Sequence, residues 1–252
     1  GWENDGAAPR DFLAGLAENL TPGAAHRYPL LHYLVIGVWV LPVLLGDAVV
    51  ALVAHVPVRE VVLSVTSMTL IALLTKLLHL AMMSVALLGL ARTARDSFGV
   101  SAARWGVAFA MLNLSVVYYG RATNVDAAYL MWVSLWVDQL SRLRHGGEPA
   151  RYRGLALLMA AAVATKDQAF AAFLLPGLLF LVVLPVARRQ RDLRRHFAEL
   201  ARAGAVLVVA YALLSGAALN PTGFVRRLAL LSGPNSQDWR QYEASWAGCS
   251  RT

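Results

Sequence analysis

The run SMTLIALLTKLLHLAMMSVALLGLA, residues Ser67–Ala91, has 25 residues and only two titratable side chains, Lys76 and His79. A helix that crosses a bilayer needs roughly 20 predominantly apolar residues. A strand of a membrane barrel needs alternating apolar and polar positions, and this run has none. Five more apolar runs follow it: Ser101–Tyr119, Ala127–Leu143, Gly154–Thr165, Gln168–Val186 and Ala203–Leu219. The fourth is short and draws on Arg151–Arg153, whose aliphatic stems can lie along apolar surface while their heads reach water. The chain as a whole is 58% hydrophobic and 15% charged, with mean hydropathy +0.54. A soluble domain carries about 25% charged residues. The expected fold is all-α, a polytopic transmembrane helix bundle of about six helices.

Lys and Arg set the expected orientation. Arg92, Arg95 and Arg104 fall in one connection. Arg142, Arg144, Arg151 and Arg153 fall in a second, and Arg188, Arg189, Arg191, Arg194, Arg195 and Arg202 in a third. The connections between them are much poorer in charge, so the positive-inside rule places the three basic ones in the cytoplasm. Gly120–Asp126, Lys166–Asp167 and Asn220–Thr252 then face outward. Leu30–Val56 is apolar too, but Pro42, Gly46 and Asp47 interrupt it. A full span there would flip every later helix, so it is read as a re-entrant or interfacial helical pair on the outer face, with a full span as the alternative.

The resulting division is an outer loop with juxtamembrane helices over 1–66, a transmembrane bundle over 67–219, and the start of an outer loop over 220–252. Ten of the 15 acidic residues fall outside: Glu3, Asp5, Asp11, Glu18, Asp47, Glu60, Asp126, Asp167, Asp238 and Glu243. The first residue is Gly1 and the final stretch Ser245–Thr252 has no packing pattern. A chain that continues in both directions is therefore expected.

The net charge of +8 is topogenic on this reading, and no nucleic-acid partner is expected. Cys249 is the sole cysteine, which excludes an internal disulfide framework and a cysteine metal cluster. There is no phosphate loop, no Gly-x-Gly-x-x-Gly fingerprint and no His-Glu-x-x-His motif.

Several polar clusters could carry chemistry on the outer side. Glu3 and Asp5, beside Trp2 and ahead of a helical pattern over Phe12–Leu20, suit a general base, a divalent metal site or an ordinary solvated loop. Arg27 and Tyr28 open the segment Arg27–Tyr33, which suits either headgroup anchoring or ligand binding. Between two spans, Tyr118–Asp126 packs Arg121, Asn124 and Asp126 at the edge of hydrocarbon. Charge there must be paired or face water, so the stretch is either a structural Arg121–Asp126 pair or a polar pocket. Lys166 sits at a tight turn, where it can hold a phosphate or pair with Asp167. Lys76 and His79 share a helix side by spacing and should point into the bundle. Asn19–Thr21 fits a glycosylation sequon, a common triplet.

The order of these pieces resembles that of a known enzyme group. An acidic loop, Gly1–Gly6, precedes Tyr-Pro-Leu-Leu-His-Tyr at Tyr28–Tyr33. A span then ends in Leu-Gly-Leu-Ala-Arg-Thr-Ala-Arg-Asp-Ser-Phe-Gly at Leu88–Gly99. The next ends in Tyr-Tyr-Gly-Arg-Ala-Thr-Asn-Val-Asp at Tyr118–Asp126, and a later hairpin carries Ala-Thr-Lys-Asp-Gln at Ala164–Gln168. Over nearly the whole chain this resembles the membrane glycosyltransferases of the GT-C fold, in the flavour of the protein mannosyltransferase and aminoarabinose transferase group. Two departures stand out. Leu30 replaces the second proline of the family's Tyr-Pro-Pro-Leu-like segment, and Asn4 separates the two acidic residues.

The resemblance implies transfer of a sugar from a polyprenyl-phosphate carrier to a lipid, glycan or protein acceptor on the non-cytoplasmic face. Asp5 or Glu3 would then serve as catalytic base or hold a divalent metal, the one cofactor implied. Lys166 and Arg27 would bind the carrier phosphate, with Tyr28 and Arg121 nearby, and Asn124 and Asp126 would line the sugar pocket. The expected location is a multi-pass protein of a bacterial inner membrane with its active face outward. A secondary transporter, or a non-catalytic membrane protein of envelope assembly, are the alternatives.

Overall fold

The computed structural model describes residues 9–24, 28–121, 123–144, 150–187 and 193–232. Among them there are helices and no strands, and the fold is an all-α, polytopic helical bundle. α1 is Pro9–Leu20, α2 Leu30–Ala54, α3 Val58–Val62, α4 Val65–Phe98, α5 Val100–Leu112 and α6 Leu114–Arg121. α7 is Val125–Arg144 and α8 Ala150–Val163. A 3-10 turn, Asp167–Ala169, leads into α9, Phe170–Gly177, a π-helical stretch, Leu178–Val183, and α10, Leu184–Ala187. α11 is Leu193–Leu214 and α12 Pro221–Ser232. Three helices, α2, α4 and α11, are long and apolar enough to cross a membrane by length and composition. α7 has 20 residues but carries Asp126, Asp138, Arg142 and Arg144.

Two boundaries differ from the sequence expectation. Leu30–Ala54 is one continuous helix of 25 residues, not an interrupted pair. Pro42 has no backbone N–H to donate, yet the helix runs through it, and nothing lies within 4 Å of where a Gly46 side chain would start. The Asp47 carboxylate accepts a hydrogen bond from the Ser67 hydroxyl on α4. The three breaking signals are thus absorbed without a turn. The expected span Ser101–Tyr119 is instead broken at Asn113, whose backbone is extended. Its side-chain oxygen accepts from the Val116 N–H at 3.3 Å, restarting the chain as α6.

Cross-contacts fix the directions. α2 runs antiparallel to the first part of α4: His32 meets His79, the Trp39 indole donates to the Leu74 carbonyl at 2.9 Å, and Asp47 meets Ser67. α7 runs parallel to the last part of α4, and the Ser134 hydroxyl donates to the Ala86 carbonyl at 2.5 Å. α8 pairs with α7 at Gly154–Gln139 and with α11 at Tyr152–His196. The segments 123–126 and 164–169 and the junction 215–220 therefore gather at one end of the bundle, here the site end. Arg92, Arg95, Arg142, Arg151, Arg153, Arg194 and Arg195, near the far ends of α4, α7, α8 and α11, lie toward the other. From His79 to Phe98, α4 is about 29 Å long, close to the roughly 30 Å of hydrocarbon. Its first turns, paired with α2, continue beyond the level of His79.

α7 links the two larger cores. Ala127, Ala128 and Met131 pack with Phe12 of α1, Tyr33, Ile36 and Val40 of α2, and Ile71 and Met82 of α4. Trp136 and Leu140 pack with Leu155 and Ala162 of α8 and Phe173 of α9. Leucines such as Leu73, Leu77 and Leu88 stay exposed on α4. Burying them gains nothing against lipid tails, so close packing and interhelical hydrogen bonds must join the helices. Gly89 is one such point, since a side-chain carbon there would lie 2.3 Å from the Ser134 hydroxyl and 3.3 Å from its backbone. Gly89→Val should cost about 1–3 kcal/mol by overpacking, read as a lower unfolding midpoint in detergent. Gly106→Ala, inside α5 with nothing within 4 Å, should not lower that midpoint and should raise it slightly, since alanine is favoured over glycine in a helix by about 0.5–1 kcal/mol.

Candidate functional site

The site end is assembled by two ion pairs between segments distant in sequence. Asp126 lies in the first turn of α7, where a carboxylate also complements the helix dipole. The Lys166 ammonium, from the turn after α8, donates to its Oδ1. One residue later, Asp167 accepts from the guanidinium of Arg227 on α12. Arg227 is 1% exposed, and its Nε and Nη1 have no hydrogen-bond partner among the described residues. Burial pushes the Asp167 carboxyl above its usual range, and the Arg227 charge pulls it back. Tyr211 of α11 faces this second pair and meets Phe224 of α12 edge to face at 6.1 Å.

Asn220 holds α12 in place. It is 1% exposed and uses both ends of its amide. Its Nδ2 donates to the carbonyls of Thr21 at 2.9 Å and Ala24 at 3.0 Å. Its Oδ1 accepts from the N–H groups of Gly23 at 2.8 Å and Gly223 at 2.9 Å. The turn after α1 is thereby tied to the first turn of α12. Gly216, with φ +83°, ends α11 in a left-handed turn that any side chain would strain. A carbon added there would sit 3.2 Å from Leu30, so the glycine lets the start of α2 close against this junction.

Behind the ion pairs lie two buried imidazoles, His32 of α2 and His79 of α4, edge to face at 5.2 Å. The His79 Nδ1 donates to the Thr75 carbonyl at 2.6 Å, which leaves its Nε2 as the acceptor in the neutral ring. That Nε2 and both nitrogens of His32 have no hydrogen-bond partner among the described residues.

The residues singled out from sequence fare unevenly. Asp126 and Lys166 are brought together, so Lys166 spans 40 positions to a partner other than its neighbour Asp167. Asn124 is buried, and its Oδ1 accepts from the Asp126 N–H at 2.9 Å, which fixes the start of α7. Tyr28 is half-buried and packs against the first core, with its carbonyl accepting from the Asn19 amide at 3.2 Å. Arg121 closes α6, and its side chain is outside what the structure describes. Glu3, Asp5 and Arg27 also lie outside the described residues. Lys76 and His79 do not share a buried face: His79 is enclosed and Lys76 is exposed. The buried face of α4 is narrow and runs through Ile71, Thr75, Leu78 and His79. Arg227 was missed altogether. Its one signal is an Arg pair, Arg226–Arg227, in an amphipathic stretch after Pro221, a residue favoured at the first helical position. Among the described residues no three His, Cys, Asp or Glu side chains cluster as a metal site.

The arrangement offers anion-binding cations next to carboxylates at one end of an apolar bundle, a composition suited to a charged headgroup on a lipid. A family model described as dolichyl-phosphate-mannose-protein mannosyltransferase matches residues 72–214, more than half of the chain. No curated protein matches the chain, and no solved structure does.

The buried pair gives a direct test of this geometry. Asp167→Asn leaves Arg227 uncompensated and should cost about 3–5 kcal/mol, while Asp167→Leu combined with Arg227→Leu should recover most of that loss. Thermal unfolding in detergent across the double-mutant cycle checks both.

Proposed function

We propose that this chain, which belongs to the dolichyl-phosphate-mannose-protein mannosyltransferase family, moves a sugar from a polyprenyl-phosphate carrier to an acceptor hydroxyl on the non-cytoplasmic face. It is an integral membrane glycosyltransferase of the GT-C type, which favours an enzyme over the transporter and scaffold alternatives. The carrier, the acceptor and the face are the proposal. The observation that carries it is the convergence of Lys166–Asp126 and Arg227–Asp167 at the end of the bundle opposite Arg92, Arg95, Arg142 and Arg194.

In this scheme the acceptor oxygen forms a bond to the anomeric carbon while the bond from that carbon to the carrier phosphate breaks. The acceptor proton passes to a carboxylate, and the charge left on the phosphate is taken up by cations. Lys166 is the cation available to the phosphate, because its pair with Asp126 is partly exposed and can be exchanged for a second anion. Arg227 is buried and preorganised by Asp167, so its charge acts on the departing phosphate without a reorganisation cost. Arg27 adds a third cation, by resemblance to the family. Asp126, released by Lys166, and the capping Asn124 would line the sugar, with Tyr28 and Arg121 at the rim. Glu3 or Asp5 supplies the base. The acceptor is a lipid, glycan or protein hydroxyl, and the membrane is a bacterial inner membrane with the site outward.

Sugar transfer from a polyprenyl-phosphate donor by the full-length protein is the measurement. Lys166→Ala should lower kcat on the order of 10²–10³-fold, as loss of one charge-stabilising donor does. The double variant Glu3→Gln, Asp5→Asn should lose about 10²–10⁴-fold, and undiminished transfer would remove these residues as the base. Chelation separates two roles of the same carboxylates. Activity lost with a chelator and restored by a divalent ion assigns them to a metal, whereas activity that survives chelation assigns them to proton transfer.

A further inference from the structure

We propose that Pro185, His196 and Tyr152 form a latched hinge in the helical segment that starts at Asp167, on the side of the bundle away from the ion pairs. In an α-helix the Leu181 carbonyl would accept from the N–H four residues on. That residue is Pro185, which has no N–H and whose ring crowds the same carbonyl. The chain meets this with the π-helical stretch Leu178–Val183, just before the proline. A π turn moves the ladder to bonds five residues apart, so it steps over the missing donor.

A second donor arrives from another helix. The Nε2 of His196 on α11 lies 2.7 Å from the Leu181 carbonyl. A carbonyl only accepts, so Nε2 carries the proton, and in the neutral ring Nδ1 is then an acceptor. Tyr152 of α8 serves it: its hydroxyl donates to Nδ1 at 2.6 Å. The chain of bonds runs from Tyr152 through His196 to Leu181 and joins three helical segments. Both side chains are buried. Within hydrocarbon, a backbone group freed by a proline is tolerated where neighbouring groups satisfy it again. His196 does this for Leu181, and Tyr152 orients His196.

The part of the segment that the latch restrains has little else to hold it. Toward the site end the segment is fixed twice, by Asp167 on Arg227 and by Phe173 edge to face with Trp136 at 5.0 Å. Beyond Leu181, Val182, Val183 and Val186 are 37%, 45% and 48% exposed, and no residue of the π-helical stretch is buried. Sparse packing makes for low local stability. Prolines and π turns are also where helices bend. With the bond to His196 made, the part beyond Leu181 is set against α11. With it broken, that part swings while the site end keeps its anchors.

Amide hydrogen exchange on the full-length protein in detergent tests this and needs no substrate. His196→Phe keeps a ring and removes the donor. It should speed exchange over 182–187 about tenfold, as loss of one hydrogen bond does, and leave 169–175 unchanged. His196→Gln, whose amide N–H can reach the same carbonyl, should restore most of the protection. Pro185→Ala returns the backbone donor, so adding His196→Phe to it should change exchange by less than about twofold. An equal effect of His196→Phe with and without Pro185→Ala would overturn the proposal, as would failure of His196→Gln to protect. If His196→Phe also speeds exchange throughout 70–83, the fold itself is lost and Tyr152→Phe decides. Exchange about threefold faster over 182–187 then supports the latch, and unchanged exchange overturns it.

Discussion

Charge next to hydrocarbon must be paired or hydrated, and the whole site end is built on that requirement. Lys166 and Asp126 join the turn after α8 to the start of α7. Arg227 and Asp167 join α12 to the turn before α9. Asp126 at the start of α7, Lys166 and Asp167 in the turn after α8, and Arg227 within α12 are thereby locked into one polar layer. A lysine or arginine held by one carboxylate still has donors to spare, and Arg227 has two nitrogens without partners among the described residues. The same contacts that make the charges tolerable therefore balance them and still leave N–H donors of Arg227 uncommitted among the described residues.

Below that layer the bundle relies on close approach more than on large apolar side chains. Gly89 lets α4 settle onto Ser134 of α7, while Gly177 and Gly204 leave a gap instead of closing one. Glycine thus has opposite uses in two interfaces of one fold, contact in the first and vacancy in the second.

The bundle was legible in the sequence where composition alone decides. Ser67–Ala91 reads as a long helix because nothing in it breaks apolarity for more than two residues at a time, and α4 extends it at both ends. Pro42, Gly46 and Asp47 misled, because local breaking signals were weighed without Ser67, 20 positions away, which satisfies Asp47. The alternation of arginine-rich and arginine-poor connections depends only on α4 to α11, so the continuity of α2 leaves it intact. Lys166 and Asp126 were visible as isolated charges at helix ends, yet their pairing was not, since spacing carries no information across 40 residues. Arg227 could not be ranked above the other arginines, because only the Asn220 staple and the packing of α12 bring it to Asp167.

The central claim is that the two ends of the bundle face different compartments, with both ion pairs on the non-cytoplasmic side. Replacing Cys249 by Ser and introducing one cysteine at a time, at exposed Gln168 beside the ion pairs or at exposed Ser97 by the first arginine cluster, tests it in intact cells with a membrane-impermeant maleimide. The account predicts that Gln168→Cys is labelled from outside and that Ser97→Cys is labelled only after the membrane is permeabilised. Labelling of both positions from the same side, or in the reverse order, would contradict it.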